Sequence, residues 1–189
     1  MSIGSVVREG YRSALPTVGV SALGGLVAGT ILGGMEAELA AVQGLLVMVP
    51  AFLAIRGSVY GSLGSRLSTG LHQGVISPVF APDGRILRAV AAALVNGTVA
   101  SVAAALLTYG VLAGLGRAVA PVVTLIVVAL AGGILAGLAL SATVIVVVLV
   151  GYRRGLNPDD VVGPAVTTAG DVFGIASLLL AARLALAVT

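Results

Sequence analysis

From Ala118 to Val150 the chain runs for about 33 residues without one charged side chain. Roughly 20 apolar residues suffice to cross the hydrocarbon core of a bilayer as a helix, so this run alone commits the chain to a membrane. Four more apolar stretches share the pattern. The whole sequence is 59% hydrophobic and only 9% charged, where a soluble domain averages roughly 25% charged. The expected fold is an all-α membrane protein with five transmembrane helices, at about 14–34, 39–76, 86–113, 118–150 and 160–188.

Short polar segments separate these spans. MEAEL (35–39) divides the first two, and SPVFAPDGR (77–85) is a loop by its prolines and its Asp83-Gly84 pair. GLGR (114–117) and GYRRGLNPDD (151–160) mark the remaining boundaries. At 1.5 Å per residue the fourth run reaches roughly 50 Å, against a core of about 30 Å. A hairpin turning at Gly132-Gly133 is therefore an alternative to one tilted crossing. The arginines favour one crossing, with Arg117 at one end and Arg153 and Arg154 at the other.

Counted over the loops, Arg8, Arg12, Arg66, Arg85, Arg88, Arg153 and Arg154 fall on one side and Arg117 on the other. The positive-inside rule then puts the N-terminus in the cytoplasm and the C-terminus outside. Arg56 and Arg66 read as residues that snorkel to headgroups. Arg8 and Arg12 ahead of the run from Leu15 to Leu32 superficially suggest a secretory signal. The run is as long as a full span and more spans follow, so it reads as an uncleaved first helix. The ten arginines are scattered between apolar runs, which argues against nucleic-acid binding. With no Cys and one His, soft-metal chemistry has little to work with.

Pairs such as Gly25/Gly29/Gly33, Gly57/Gly61, Gly110/Gly114, Gly133/Gly137 and Gly170/Gly174 have the four-residue spacing that lets membrane helices approach closely. More informative is Asp171, about 11 residues into the last span and so roughly 16 Å from its start. An aspartate at that depth costs about 2.5–3.5 kcal/mol on insertion scales. Thr167, Thr168, Gly170 and Gly174 surround it with small or hydroxylated residues, a face open to water or a ligand. The plainer reading is a structural aspartate paired within the bundle. Arg183 on the same helix is about 18 Å away by rise, too far for a direct pair.

In RGSVYGSLGSRLSTGLHQGV (56–75), Ser58, Ser62, Ser65 and Thr69 form one hydroxyl stripe if helical. It can wall an aqueous path, or it can bond its own carbonyls at the interface. His72 near Ser65 and Ser68 invites a serine-protease reading, but no second His supports it, and a cap or pore-mouth role fits better. Glu36 and Glu38 fall on the outer face, where they would concentrate cations.

GSVYGSLGSRLSTGLHQG (57–74) resembles the G-N…L-x-S-R-L-S-T…G signature of MgtE-type magnesium channels and transporters, including the solute-carrier magnesium transporters of animals. NPDDVVGPAVTTAGDVFGIASLLLAARL (157–184) is similar to their last helix, which opens D-P-D-N or D-P-A and continues through P…T-x-x-D. The resemblance extends over about 14–188. It implies a homodimer in the lipid bilayer whose ten helices enclose a cation path lined by the second and fifth helices of each protomer. Asp171 matches the pore-facing acid, and Pro164 holds the register.

By the same resemblance Thr167, Thr168, Gly170, Gly57, Ser58, Asn157, Asp159 and Asp160 are candidate metal-facing residues. Asn157 stands for the motif's first Asp, Asp160 for its final Asn, and Ser58 for the usual Asn after Gly57. Only about a dozen residues precede the first helix, so a half-size membrane unit without the family's cytosolic regulatory region is expected, in a prokaryotic cell membrane. The transported ion implied is magnesium, with no organic cofactor and no enzymatic activity. Magnesium usually keeps several waters while one or two carboxylates contact it, which suits an Asp171 from each protomer. A proton- or sodium-coupled carrier using Asp171, and a scaffold subunit binding a partner through its glycine faces, are the competing readings.

Overall fold

The computed structural model describes the backbone of residues 3–156 and 158–188, with side chains described for 11, 15, 18–156 and 161–188. The order is α1 (Ile3–Gly33), α2 (Glu36–Ala41), α3 (Leu45–His72), α4 (Gly84–Gly114), α5 (Val122–Arg153) and α6 (Pro158–Val188). No strand occurs among the described residues. By length and composition α3, α4, α5 and Val161–Val188 of α6 can cross a membrane, and Val18–Gly33 of α1 is a shorter apolar stretch.

The stretch between α1 and α3 differs from expectation. Instead of a helix entering the bilayer at residue 39, the short α2 ends at Ala41 and α3 begins at Leu45. The break lies at Gly44, whose φ of +98° is left-handed, a conformation that glycine adopts without steric cost. A side chain there would also press on Leu112 at the end of α4. The loop is tied down by the Ala120 N–H donating to the Gln43 carbonyl at 2.9 Å. At the opposite end, Asp83 accepts the Arg85 N–H at 2.7 Å and caps α4, as its turn chemistry suggests.

α5 is one continuous helix, about 48 Å long at 1.5 Å per residue, with no hairpin at Gly132-Gly133. Those glycines are crossing points. A Cβ on Gly132 would lie 3.4 Å from Leu178 of α6 and from Phe52 of α3, and one on Gly133 would lie 3.4 Å from Ser101 of α4. α5 therefore touches α3, α4 and α6, while α1 docks chiefly on α6. Two apolar clusters result, one around Phe52, Leu125 and Leu178, the other around Tyr60, Val144 and Val162.

Only some glycines at four-residue spacing make close contacts within the protomer. Gly25, Gly29, Gly33, Gly57, Gly61, Gly110 and Gly114 face open space, whereas Gly137 meets Tyr60 and Gly174 meets Leu53; Gly24 against Thr168 and Gly64 against Val162 pack closely without that spacing. Spacing alone does not say which face finds a partner. Gly64→Ala is expected to lower stability by about 1–3 kcal/mol, the usual cost of overpacking. Gly110→Ala should leave it unchanged or slightly raised through helix propensity. Thermal melts of the two variants in detergent check the contrast.

Candidate functional site

Asp171 lies midway along α6. Its neighbours in space are Gly25, Ala28, Gly29 and Leu32 of α1, Val49 and Leu53 of α3, and Ile175 one turn along its own helix; together they line a groove of about 240 Å³. α1 packs on α6 but hardly on α3, so the groove is the gap between α1 and α3, with α6 as its floor. Gly25 and Gly29 keep its α1 wall low. Asp171 is its one ionisable lining residue. Its side chain is partly exposed, with no hydrogen bond or ion pair to any described residue.

Two arginines, one at the end of α6 and one inside α3, are engaged elsewhere. Arg183 donates from Nε to Glu38 Oε1 at 2.7 Å, joining the end of α6 to α2. Arg56, expected to snorkel, is instead fully buried. Its Nη1 donates to the Gly133 carbonyl at 3.1 Å, and its Nη2 to the Gly97 carbonyl at 3.2 Å and to Ser101 Oγ. Its guanidinium also sits 4.2 Å from the Phe52 ring centroid. Residue 56 falls on the side of α3 that packs against α4 and α5, so its head cannot reach an interface. The signal was present in the sequence as an arginine flanked by AFLAI and GSVY, well inside an apolar run.

The other candidate residues divide by helix face. Thr168 is turned toward α1, donating from Oγ1 to Ser21 Oγ at 3.3 Å beside Gly24. Thr167 is exposed and bonds the Gly163 carbonyl at 3.0 Å. Gly170 is buried against α3, where a Cβ would lie 3.9 Å from Arg56 Cβ. Gly57 is one turn along α3 from Leu53 and open. Successive helical residues turn by about 100°, so Ser58 is directed toward α4, and with Ser62, Arg66 and Asn96 it lines a separate pocket of about 220 Å³. Asn157 lies outside the described residues. Asp159 and Asp160 begin α6, with side chains also outside them.

His72 ends α3, its Nδ1 donating to the Ser68 carbonyl at 2.9 Å and its ring meeting Tyr152 edge-on at 5.6 Å. The carbonyl, not a serine hydroxyl, is its partner. Among the described residues no cluster of three or more His, Cys, Asp or Glu exists within the chain, so a protomer by itself presents one carboxylate to the groove.

The MgtE family model, described as that of a divalent cation transporter, matches residues 49–181, from the first turns of α3 to near the end of α6. This chain belongs to the MgtE family. Solute carrier family 41 member 3 of Rattus norvegicus is 28% identical over 180 residues, 93% of this chain but 39% of the rat protein, so the chain spans about two fifths of that relative. MgtE membership makes this a multi-pass membrane protein of a transporter family, not an enzyme. The matched region contains Gly57, Ser58, Thr167, Thr168, Gly170 and Asp171, while the groove's α1 wall precedes it.

Glu38 departs from its expected role as a free surface charge. The Arg183 guanidinium holds its carboxyl below the usual carboxylate range, with a backbone hydrogen bond acting the same way. A depressed native value means that Glu38 stabilises the fold when ionised. That contribution is present above the ordinary value near 4.5 and is lost as pH falls through the lowered native value. Melts of wild type and Glu38→Gln in detergent should therefore differ at pH 7 and converge in that acidic window.

Proposed function

We propose that this chain is one protomer of a homodimeric channel or transporter that passes largely hydrated magnesium between the second and fifth membrane helices, here α3 and α6. In this reading α1 is the first crossing, the N-terminus is cytoplasmic and the protein sits in a cell membrane. The observation that carries it is an aspartate in mid-membrane, open to a groove, that no described arginine or hydrogen-bond donor of the protomer compensates. Intramembrane acids face a bundle interior or an aqueous cavity and find a counter-charge there. With Arg56 and Arg183 engaged elsewhere, a passing cation is the remaining counter-charge.

Magnesium holds its water shell and takes one or two carboxylates. Two Asp171 side chains related by a two-fold axis would balance its charge. The open glycines of α1 and α3 leave width for a hydrated ion rather than a stripped one. Gly57 and Thr167 border that route, and Thr168 and Gly170 fix α6 against α1 and α3 behind it. Asn157, Asp159 and Asp160 are assigned to the inner mouth, whereas Ser58, directed toward α4, lies off this route.

Asp171→Asn is expected to lower magnesium flux in reconstituted vesicles at least tenfold and to abolish magnesium-limited growth rescue, with the dimer intact by cross-linking. Undiminished flux would overturn the pore assignment. Flux that requires a proton or sodium gradient would reassign Asp171 to a coupled carrier.

A further inference from the structure

The arginine-rich end of the bundle carries a second cavity, far from Asp171 along the helices. The loop between α3 and α4 folds over the starts of α4 and the end of α5 and encloses about 530 Å³, within the range of roughly 300–1,000 Å³ usual for small-molecule sites. Its walls are almost wholly apolar. Ile86 and Val90 of α4 face Ile145 and Leu149 of α5, each pair one turn apart, so the two stripes run inward along the helix axes. Val79 and Phe80 of the loop complete the cavity and are 48% and 56% exposed. Exposed apolar residues in a loop beside membrane helices fit the boundary between hydrocarbon and headgroups.

Three arginines stand near this opening, Arg153 and Arg88 against its lining residues Phe80 and Gly84, and Arg85 beyond it. Arg153 donates from Nε to the Pro78 carbonyl, and its guanidinium stands 5.0 Å from the Phe80 ring centroid. Arg85 donates from Nη1 to the Val75 carbonyl. Arg88 donates from Nε to the carbonyl of Gly84, itself a lining residue, at 2.9 Å. Each thus spends one donor on a carbonyl, out of the five that a guanidinium carries. Asp83 is the one carboxylate on the lining, and it accepts the Arg85 N–H. Arg88 and Arg153 thus place positive charge beside an apolar slot.

We infer that this cavity binds one anionic phospholipid, its phosphate held by Arg88 and Arg153 with Arg85 adding positive charge nearby, and an acyl chain lying between α4 and α5. Charge complementarity selects the anionic headgroup, because planar guanidinium groups match phosphate oxygens in pairs. The apolar depth selects a lipid over a free phosphate, which would leave the slot empty. Bound there, the lipid would bridge the loop to both helices and brace the end of the bundle that the arginines assign to the cytoplasm.

The test is lipid binding by the intact protein in detergent, read by native mass spectrometry, which needs no transport and so stands or falls apart from the pore assignment. Phosphatidylglycerol should be retained at least tenfold better than phosphatidylcholine of the same chains. Arg88→Gln, which gives up a hydrogen bond within its own helix, should reduce that preference several-fold, and the triple change R85Q/R88Q/R153Q should remove it. Filling the slot with Val90→Phe should weaken phosphatidylglycerol binding while the arginines remain. Equal retention of both lipids, a preference that survives the triple change, or binding indifferent to Val90→Phe would overturn the inference. So would displacement of the lipid by millimolar glycerol phosphate, which would make the site one for free phosphate. Should the triple variant fold poorly, Arg88→Gln and Val90→Phe decide the matter between them.

Discussion

Hydrocarbon does not solvate a charge, so every ionised group in a membrane bundle needs a partner that water would otherwise supply. Two such groups lie at depth here, and the protein treats them in opposite ways. Arg56 is enclosed by two backbone carbonyls, a serine hydroxyl and an aromatic face drawn from α3, α4 and α5. Asp171 receives none of this from the described residues. Had the two been side by side they would form a buried ion pair, and the groove would be a structural feature with nothing left to recruit. Because the Arg56 head is drawn toward α4 and α5, the carboxylate is left without a described partner, as the proposed cation path requires.

That separation depends on how the helices pack. α5 is threaded through the centre by glycines that let it lie against three neighbours, which fixes α3 and α4 and so fixes where Arg56 points. α1 is different. It holds to α6 where Gly24 receives Thr168, yet it stands away from α3, with Gly25 and Gly29 turned to the gap. A residue with a larger side chain at either position would narrow the groove without touching any packed contact. Tight glycines build the scaffold, and open ones line the groove.

The apolar runs and loop chemistry make much of this legible in the sequence, because membrane helices are bounded by length and by the residues that cap or interrupt them. The Asp83 cap and the single crossing from 122 to 153 follow from such local rules. Gly44 escapes them, since its break depends on contacts with the α4 end rather than on neighbours in sequence. The role of Arg56 escapes for a related reason: periodicity reveals which face a residue occupies, but only the positions of α4 and α5 reveal carbonyls within its reach. Glu38 likewise reads as a surface charge until α6 brings Arg183 beside it. The place of Asp171 within an apolar run is visible because isolation is a sequence property. Partnership is not.

The same distinction bears on why the proposed dimer would complete the proposed site. One carboxylate at an apolar groove can attract a divalent cation but leaves the complex with a net positive charge, which the low dielectric penalises almost as heavily as the bare aspartate. A second identical carboxylate across a two-fold axis removes that residual charge without any new residue type. It would also give the open faces at Gly57 and Gly61 of α3 something to face, since small residues exposed to lipid are otherwise wasted as packing surfaces. The ion would then be held by symmetry and hydration rather than by a cage of ligands, strongly enough to enter and weakly enough to leave.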